Sequence, residues 1–476
     1  MIASLLLASA ALSAPVSAAT SASAATSTAT TVDAPRRNDP ATSAPIVGLL
    51  GETLGSSEDF DEAVGGNFTN PFSLSQFTPI GGGIYEFVLT NTGTGWDEKF
   101  LLAVPRQSGE PAPLLVAFHG YSSTPNSILY QTRYLQKAQG RGWYAMAPMG
   151  AHKYNHGVDY AMDNIEAAIE WVFTHNNIDS ERVYGVGFSM GGGVAAAYAA
   201  RHQDPRKPRF AAIVNHTGTV SMRDVYNNVT NTTLLEDPQM FGGSPEAFPF
   251  AYAKASTIDY DMFEDLTNQE TDLARNLKHT PIFQWAVAGD PLPHLVNQAS
   301  LLHDQVQQRG GASSISIGTG SVHTWESLDE REVLDFLSPM LRQDPPMGVK
   351  LKTLVHADGR FYHFDVNQAQ AETFSSFEWK VLTGLNRIYL EKVTNLSQIM
   401  FNAEEAGLQP GEPVEIVLQA MDAGPVIVEL NGFSTPPTNV TRDSVASVDW
   451  SWDAAHACIQ ITENDPSTYR IWTIEP

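Results

Sequence analysis

Between about residues 71 and 345 the chain alternates short, nearly continuous apolar runs with stretches whose apolar positions recur three and four apart. Tyr85–Leu89 and Phe100–Val104 flank the turn cluster Asn91-Thr92-Gly93-Thr94-Gly95 and predict an antiparallel hairpin. Buried strands are expected at Leu114–Phe118, Trp143–Ala147, Arg182–Val186, Phe210–Val214, Ile282–Val287 and Ser314–Ile317. Ile165, Ala168, Ile169, Val172 and Phe173 lie on one face of a helix between them. Apolar strands separated by helices predict an α/β domain: a mostly parallel, doubly wound sheet covered on both faces.

Residues 222–279 break the alternation. They are polar at first, then aromatic at Phe241, Phe248, Phe250, Tyr252, Tyr260 and Phe263. An insertion after a sheet strand is expected over the carboxyl edge of the sheet, as a lid or pocket wall; its aromatics could equally form a small core of their own. From 346 to 476 the pattern changes to period two, in segments such as Lys350–Val355, Phe361–Val366, Arg387–Val393, Val414–Ala420, Val426–Leu430 and Ala457–Ile461. This predicts a second, all-β, sandwich-like domain, with Asp358-Gly359 and Asn431-Gly432 supplying the positive φ of hairpin turns.

The first 18 residues carry an apolar run, Ile2–Leu12, and a small-residue exit at Val16-Ser17-Ala18, the pattern of a secretory signal peptide without its usual basic start. The other reading is an alanine-rich leader. Residues 19–70 are expected to be a low-complexity tether, rich in Ser, Thr, Ala and Pro and too poor in large apolar groups to offset ordering over about 19–44, followed by an N-terminal extension. A secreted protein, extracellular or periplasmic, is expected, with a cytosolic one still open because the single cysteine, Cys458, permits no internal disulfide to corroborate export. No later segment reaches the length of a membrane span. The net charge of −25, from 53 acidic and 28 basic residues, repels nucleic acid.

The chemistry concentrates at Gly187-Phe188-Ser189-Met190-Gly191, which follows a predicted strand and precedes the small-residue helix Ala195–Ala200. Glycine two residues either side of the serine lets strand and helix pass closely while the hydroxyl is presented to substrate. An acyl-transfer serine needs a base, a carboxylate to orient it and two N–H donors for the oxyanion. His323, on the glycine-bearing loop after the last sheet strand and before a helix from about Glu326, is the expected base. Asp290, after the penultimate strand, is the expected carboxylate. Backbone N–H groups of Met190 and Tyr121 are the expected oxyanion hole, with His119 a structural neighbour; Tyr121, His294 and Trp325 are candidate pocket residues. No zinc-ligand histidine pair and no phosphate loop is present, so neither a metal nor another cofactor is expected.

These segments, in this order, resemble the α/β-hydrolase superfamily over about Tyr85–Leu341. Within it, Gly187–Gly193 and His119-Gly120-Tyr121 are similar to secreted esterases of the cutinase, polyester depolymerase and feruloyl esterase group. The separation of 101 positions from Ser189 to Asp290, and the missing disulfide, depart from the cutinase pattern. The resemblance implies a secreted serine carboxylic ester hydrolase acting on a small-molecule or polymeric ester, polyester or plant-derived. Two alternatives stand beside it. One is a serine peptidase of the prolyl oligopeptidase type, which would need an acidic pair such as Glu236-Asp237 or Glu264-Asp265 for a peptide amino terminus. The other is a polymer binder working through Trp450, Trp452 and Trp472 of the β domain, a domain that could also anchor an active enzyme to an insoluble substrate.

Overall fold

The computed structural model describes residues 72–476 except 94, 107–108, 262–265, 268–270, 346, 423 and 466. The expected leader and tether, Phe263 and the Glu264-Asp265 pair lie outside the described residues. Strands β1 (Phe72–Gly81), β2 (Ile84–Asn91), β3 (Glu98–Ala103), β4 (Ala112–Phe118), β5 (Tyr144–Pro148), β6 (Ile178–Phe188) and β7 (Ala212–His216) come first. The short pair β8 (Tyr260–Asp261) and β9 (Leu266–Thr267) precedes β10 (Ile282–Val287) and β11 (Ser313–Gly318). The main sheet has the order β1-β2-β3-β5-β4-β6-β7-β10-β11. From β5 to β11 neighbours are parallel, and β1, β2 and β3 extend the sheet antiparallel. Every residue of β4, β5 and β7 is buried, as parallel strands covered on both faces require. The side chains of β4 divide by parity: Leu114, Val116 and Phe118 enter one core, Leu115 and Ala117 the other. The sequence pattern had not indicated β1, an edge strand mixing Ser, Gln and Pro with its apolar residues.

Helices α1 (Pro125–Gln131), α2 (Tyr134–Gly140), α3 (Asp159–His175), α4 (Met190–Arg201), α5 (Met222–Asn228), α6 (Pro249–Lys254), α7 (Pro293–Gln308) and α8 (Glu330–Leu337) complete this part. The chain runs from β4 to β5 on one side and then crosses to β6 on the other. The carboxyl ends of β4 and β6 therefore flank a topological switch point, where such sheets bind ligands.

The insertion puts its aromatics to several uses. Phe241 and Tyr252 stack at 4.3 Å in a small core with Val158, Met222, Val225 and Leu295, Tyr260 joins the sheet core, and Phe250 meets Phe374 of the β domain at 5.1 Å.

The β domain has a seven-stranded and a six-stranded sheet whose inner faces share one core around Trp379, Trp472, Phe364 and Phe401. Most neighbours are antiparallel, with one parallel pair in each sheet. The expected hairpin turns are corrected. Asp358-Gly359 and Asn431-Gly432 each lead from a strand of one sheet to a strand of the other. The two-residue turns fall instead at Tyr362-His363 and Asp443-Ser444, with Tyr362, Asp443 and Ser444 at positive φ. Packing across the sandwich, rather than the turn-forming dipeptide, selects the connection. Trp472 is fully buried, and Trp450 and Trp452 are half-buried against the core, so none of them joins an exposed aromatic row.

The two parts share a buried interface and form one compact unit. Asn276, 3% exposed, accepts the N–H of Leu354 at 3.0 Å and donates to the carbonyls of Leu354 at 2.8 Å and Ala200 at 3.0 Å. Leu354 itself belongs to the sheet core, although it lies in the β domain. The Tyr362 N–H donates to Gln203, and the Arg209 guanidinium lies 5.7 Å from the Tyr362 ring. Arg360 pairs with Asp365 and Glu405 and approaches Asp204 of the first domain at 3.8 Å. The carboxyl end of α4 is thus held by the β domain.

Replacing Asn276 by Ala leaves an N–H and two carbonyls buried without their partner. Equilibrium urea denaturation should register a loss of about 3 kcal/mol; a loss below about 1 kcal/mol would mean that the interface relaxes around the gap.

His202, stacked on Tyr198 at 3.7 Å, has its pKa lowered to about 4, chiefly by burial. In the unfolded chain it titrates near its ordinary 6.5, so the unfolded state takes up a proton that the folded state refuses. Its contribution to stability is whole above about pH 6.5 and is lost as pH falls toward 4. Between pH 7.5 and 5, wild type should lose about 2 kcal/mol more than His202→Gln, measured by denaturation at both pH values; equal losses would contradict the burial argument.

Candidate active site

At the end of β6 the backbone turns sharply into α4, and Ser189 occupies the turn at φ 55° and ψ −123°. A non-glycine residue held there is strained, and its surroundings must over-determine it. They do. The Ser189 N–H donates to the His216 carbonyl at 3.0 Å, and its own carbonyl accepts N–H groups from Gly192, Gly193 and Thr219 at 3.0, 3.3 and 3.2 Å. A Cβ on Gly187 would lie 2.0 Å from the Gly191 carbonyl oxygen, and one on Gly191 would lie 2.2 Å from that of Phe118. Only glycine fits at either place.

Asp290 and His323 come from the loops after β10 and β11. Ala288 N–H bonds to Gly318 O at 2.9 Å and Gly289 N–H to Gly320 O at 3.1 Å, so the two loops run joined. Asp290 is buried; its Oδ1 accepts the Leu292 N–H at 2.8 Å and its Oδ2 lies 2.8 Å from His323 Nδ1. With the carboxylate as acceptor, Nδ1 carries the ring proton and Nε2 keeps its lone pair. Nε2 is buried and has no hydrogen-bond partner among the described residues, Ser189 included. The His323 ring rests 4.5 Å from that of Phe188, which precedes the serine. The structure thus brings His323 and Asp290 into contact beside the elbow.

Trp325, expected at the pocket, lies instead in the core, 6% exposed and packed on Phe188, His216 and Tyr134. A 3-10 turn, Trp325–Ser327, stands where the helix from Glu326 was expected; α8 starts only at Glu330, capped by Asp329. Ser327 Oγ gives its proton to Thr324 O and faces His216 Nε2 at 2.8 Å and Trp285 Nε1 at 3.3 Å, which fixes the loop after His323 against β7 and β10. Burial first, and then the neighbouring His323, lowers the pKa of His216 to about 3, so it is neutral. His294, half-buried at the start of α7, is held below its usual pKa by burial and stands within electrostatic reach of Asp290 and His323.

Met190 is the first residue of α4, directly after Ser189, and Tyr121 lies in the loop after β4. Around Met190 the turn bonds come from Gly192 and Gly193; around Tyr121 they run from Ser122 to Lys153 O and from Ser123 to Gly120 O. The Tyr121 ring, half exposed, lies 4.9 Å from Tyr154 and 5.5 Å from His156. His119 is buried, its ring nitrogens facing Gly120 O and Met149 O. His216, Ser327 and Glu98 were not singled out by the sequence: lone polar residues beside apolar runs carry no motif. Among the described residues, no group of three or more His, Cys, Asp or Glu side chains could hold a metal ion, and no helix is long and apolar enough to cross a membrane.

Residues 116–329 match the family model of the alpha/beta hydrolase fold. The chain is similar to the solved structure of an S-formylglutathione hydrolase from Agrobacterium tumefaciens, at 14% identity and a TM-score of 0.42 over 56% of this chain and 99% of that one. It is similar to an acylaminoacyl peptidase from Pyrococcus horikoshii, at 15% identity and 0.41 over 63% of this chain and 45% of that one. A thermophilic esterase from Thermogutta terrifontis is similar at 17% identity and 0.39 over 55% of this chain and 94% of that one. No curated protein matches the sequence. With its sheet order, its strand-turn-helix elbow and this family match, the chain has the alpha/beta hydrolase fold, followed by a C-terminal domain of β-sheets.

Proposed function

We propose that the protein is a serine carboxylic ester hydrolase working through an acyl-enzyme. The observation that carries this reading is a strained, elbow-held Ser189 beside which, against the ring of Phe188, lies a histidine whose Nδ1 faces a buried carboxylate and whose Nε2 is left without a partner. His323 Nε2 takes the Ser189 proton as Oγ attacks the ester carbonyl. Met190 and Tyr121 N–H groups receive the oxyanion, and the same histidine then delivers the proton to the leaving alkoxide. Water, deprotonated by His323, cleaves the acyl-enzyme and restores the serine. In apo structures catalytic hydrogen bonds are often loose and tighten when substrate binds.

An ester is favoured over a peptide because a site for a peptide amino terminus needs acidic groups free to bind it. Of the candidates, Glu236 already accepts hydrogen bonds from the Tyr226 and Thr232 hydroxyls. Export rests on the leader with its Val16-Ser17-Ala18 exit. Polyesters and plant-derived esters are the substrates to try once ester turnover is established, with the β domain as an anchoring surface.

Hydrolysis of p-nitrophenyl butyrate should be readily measured with wild type, and Ser189→Ala and His323→Ala should each fall to the residual level of binding and oxyanion stabilisation. A matched aminoacyl p-nitroanilide should be cleaved poorly. Serine-dependent anilide cleavage above ester cleavage would make the protein a peptidase, and no serine-dependent turnover of either would leave only a binding role.

Asp290→Asn tests the orienting carboxylate. The Leu292 N–H requires an acceptor at Oδ1, so the amide NH2 must face His323 Nδ1 and push the ring proton to Nε2. A base protonated at the wrong nitrogen should lower kcat on the order of ten-thousand-fold with the fold intact; near-normal turnover would assign the orienting role to another carboxylate.

A further inference from the structure

Glu98, at the start of β3, is fully buried, and its carboxylate is enclosed by hydrogen-bond donors. Oε1 accepts the N–H groups of Met149 and Gly150 at 2.8 and 3.1 Å, and Oε2 accepts that of Ala151 at 2.8 Å. Asn164 donates to it from α3. Successive N–H groups converge on one carboxyl group where the backbone folds into a nest, and here Gly150 and Ala151 both sit at positive φ, 62° and 66°. For Ala151 that conformation is unfavourable, and its N–H bond to the carboxylate is what holds it.

The segment so fixed grips the Tyr121 loop on both sides. The Met149 carbonyl, on the far side of the peptide from Glu98, faces His119 Nε2 at 3.0 Å and accepts Asn155 Nδ2 at 2.9 Å. The Lys153 carbonyl, two residues past Ala151, accepts the Ser122 N–H at 2.9 Å. His119 and Ser122 bracket Gly120 and Tyr121. The position of the Tyr121 N–H is therefore set by residues 149–153, and the shape of residues 149–153 is set by a carboxylate on another strand.

We infer that Glu98 is a positioning residue for the oxyanion hole, acting on the Tyr121 N–H through the 149–153 turn without touching substrate. The inference rests on the esterase reading above. It makes a particular demand: a defect in the oxyanion donor weakens the tetrahedral state and leaves ground-state binding of the ester nearly unchanged. A merely structural carboxylate would lower stability without separating the two.

The variant is Glu98→Gln, which keeps one acceptor oxygen and turns an NH2 group toward the Ala151 N–H. In the full-length protein, checked for folding by circular dichroism, kcat on p-nitrophenyl butyrate should fall roughly tenfold to a hundredfold, with KM within about twofold. Affinity for butylboronic acid, which forms a tetrahedral adduct on the serine, should fall by the same factor as kcat. If Glu98→Gln does not fold, His119→Asn breaks the link to Met149 while leaving the Glu98 nest, and should give the same loss in kcat and boronate affinity. Unchanged kcat in a folded variant, or a kcat loss without the matching loss of boronate affinity, would overturn the inference. Wild type that neither hydrolyses the ester nor binds the boronate would instead overturn the esterase reading.

Discussion

The close approach of helix α4 to the ends of β4 and β6 is the constraint on which the site depends. Any side chain at Gly191 would run into the Phe118 and His119 carbonyls, and any at Gly187 into the first turn of the helix. Gly193 is as tightly bound, with Thr219 O 2.2 Å from where its Cβ would lie. Because the helix is seated this low, its first residue follows the serine at the sheet edge, and the loop leaving β4 lies against the same turn. One steric fact thus places Ser189, the Met190 N–H and the loop that carries Tyr121, the three groups to which the proposed reaction gives the nucleophile and the oxyanion donors. The strain at Ser189 follows from it, since a short passage from strand to helix forces a φ that serine would otherwise avoid.

What the sequence made legible was what depends on local composition. Fully buried parallel strands read as apolar runs, and the elbow read as glycines around a serine, because both demands fall on consecutive residues. Asp290 and His323 were legible through their place after the last strands of the sheet, and the structure puts their side chains 2.8 Å apart. Contacts made across the fold were not legible. Glu98 is one acidic residue at the start of a largely buried strand, and the residues it binds lie some fifty positions away. Asn276 looks like an ordinary polar residue in the insertion and proves to hold the β domain's Leu354 at both main-chain groups. Trp325 misled for the related reason that an aromatic beside a candidate base looks like a pocket wall, whereas here it packs behind the sheet edge.

The turns of the β domain make the same point in reverse. Asp-Gly and Asn-Gly favour positive φ wherever they occur, but which strands they join is decided by the faces that must be buried. In a sandwich, a strand leaving one sheet can enter the other, and Gly359 and Gly432 serve such passages with φ of 142° and 102°. The tight turns went to residues whose flanking strands had a register to close.

The interface between the two parts bears on the site through α4. Ser189 precedes the helix at its amino end, and the Ala200 carbonyl at its carboxyl end accepts the same Asn276 amide that binds Leu354. A helix held at one end by glycine contacts to the sheet and at the other by a bond shared with a second domain has little freedom to slide. Any displacement along its axis would carry the Met190 N–H with it, since a helix moves as a rod. The β-sandwich thus reaches α4 through the Asn276 amide, at the end of the helix away from Ser189.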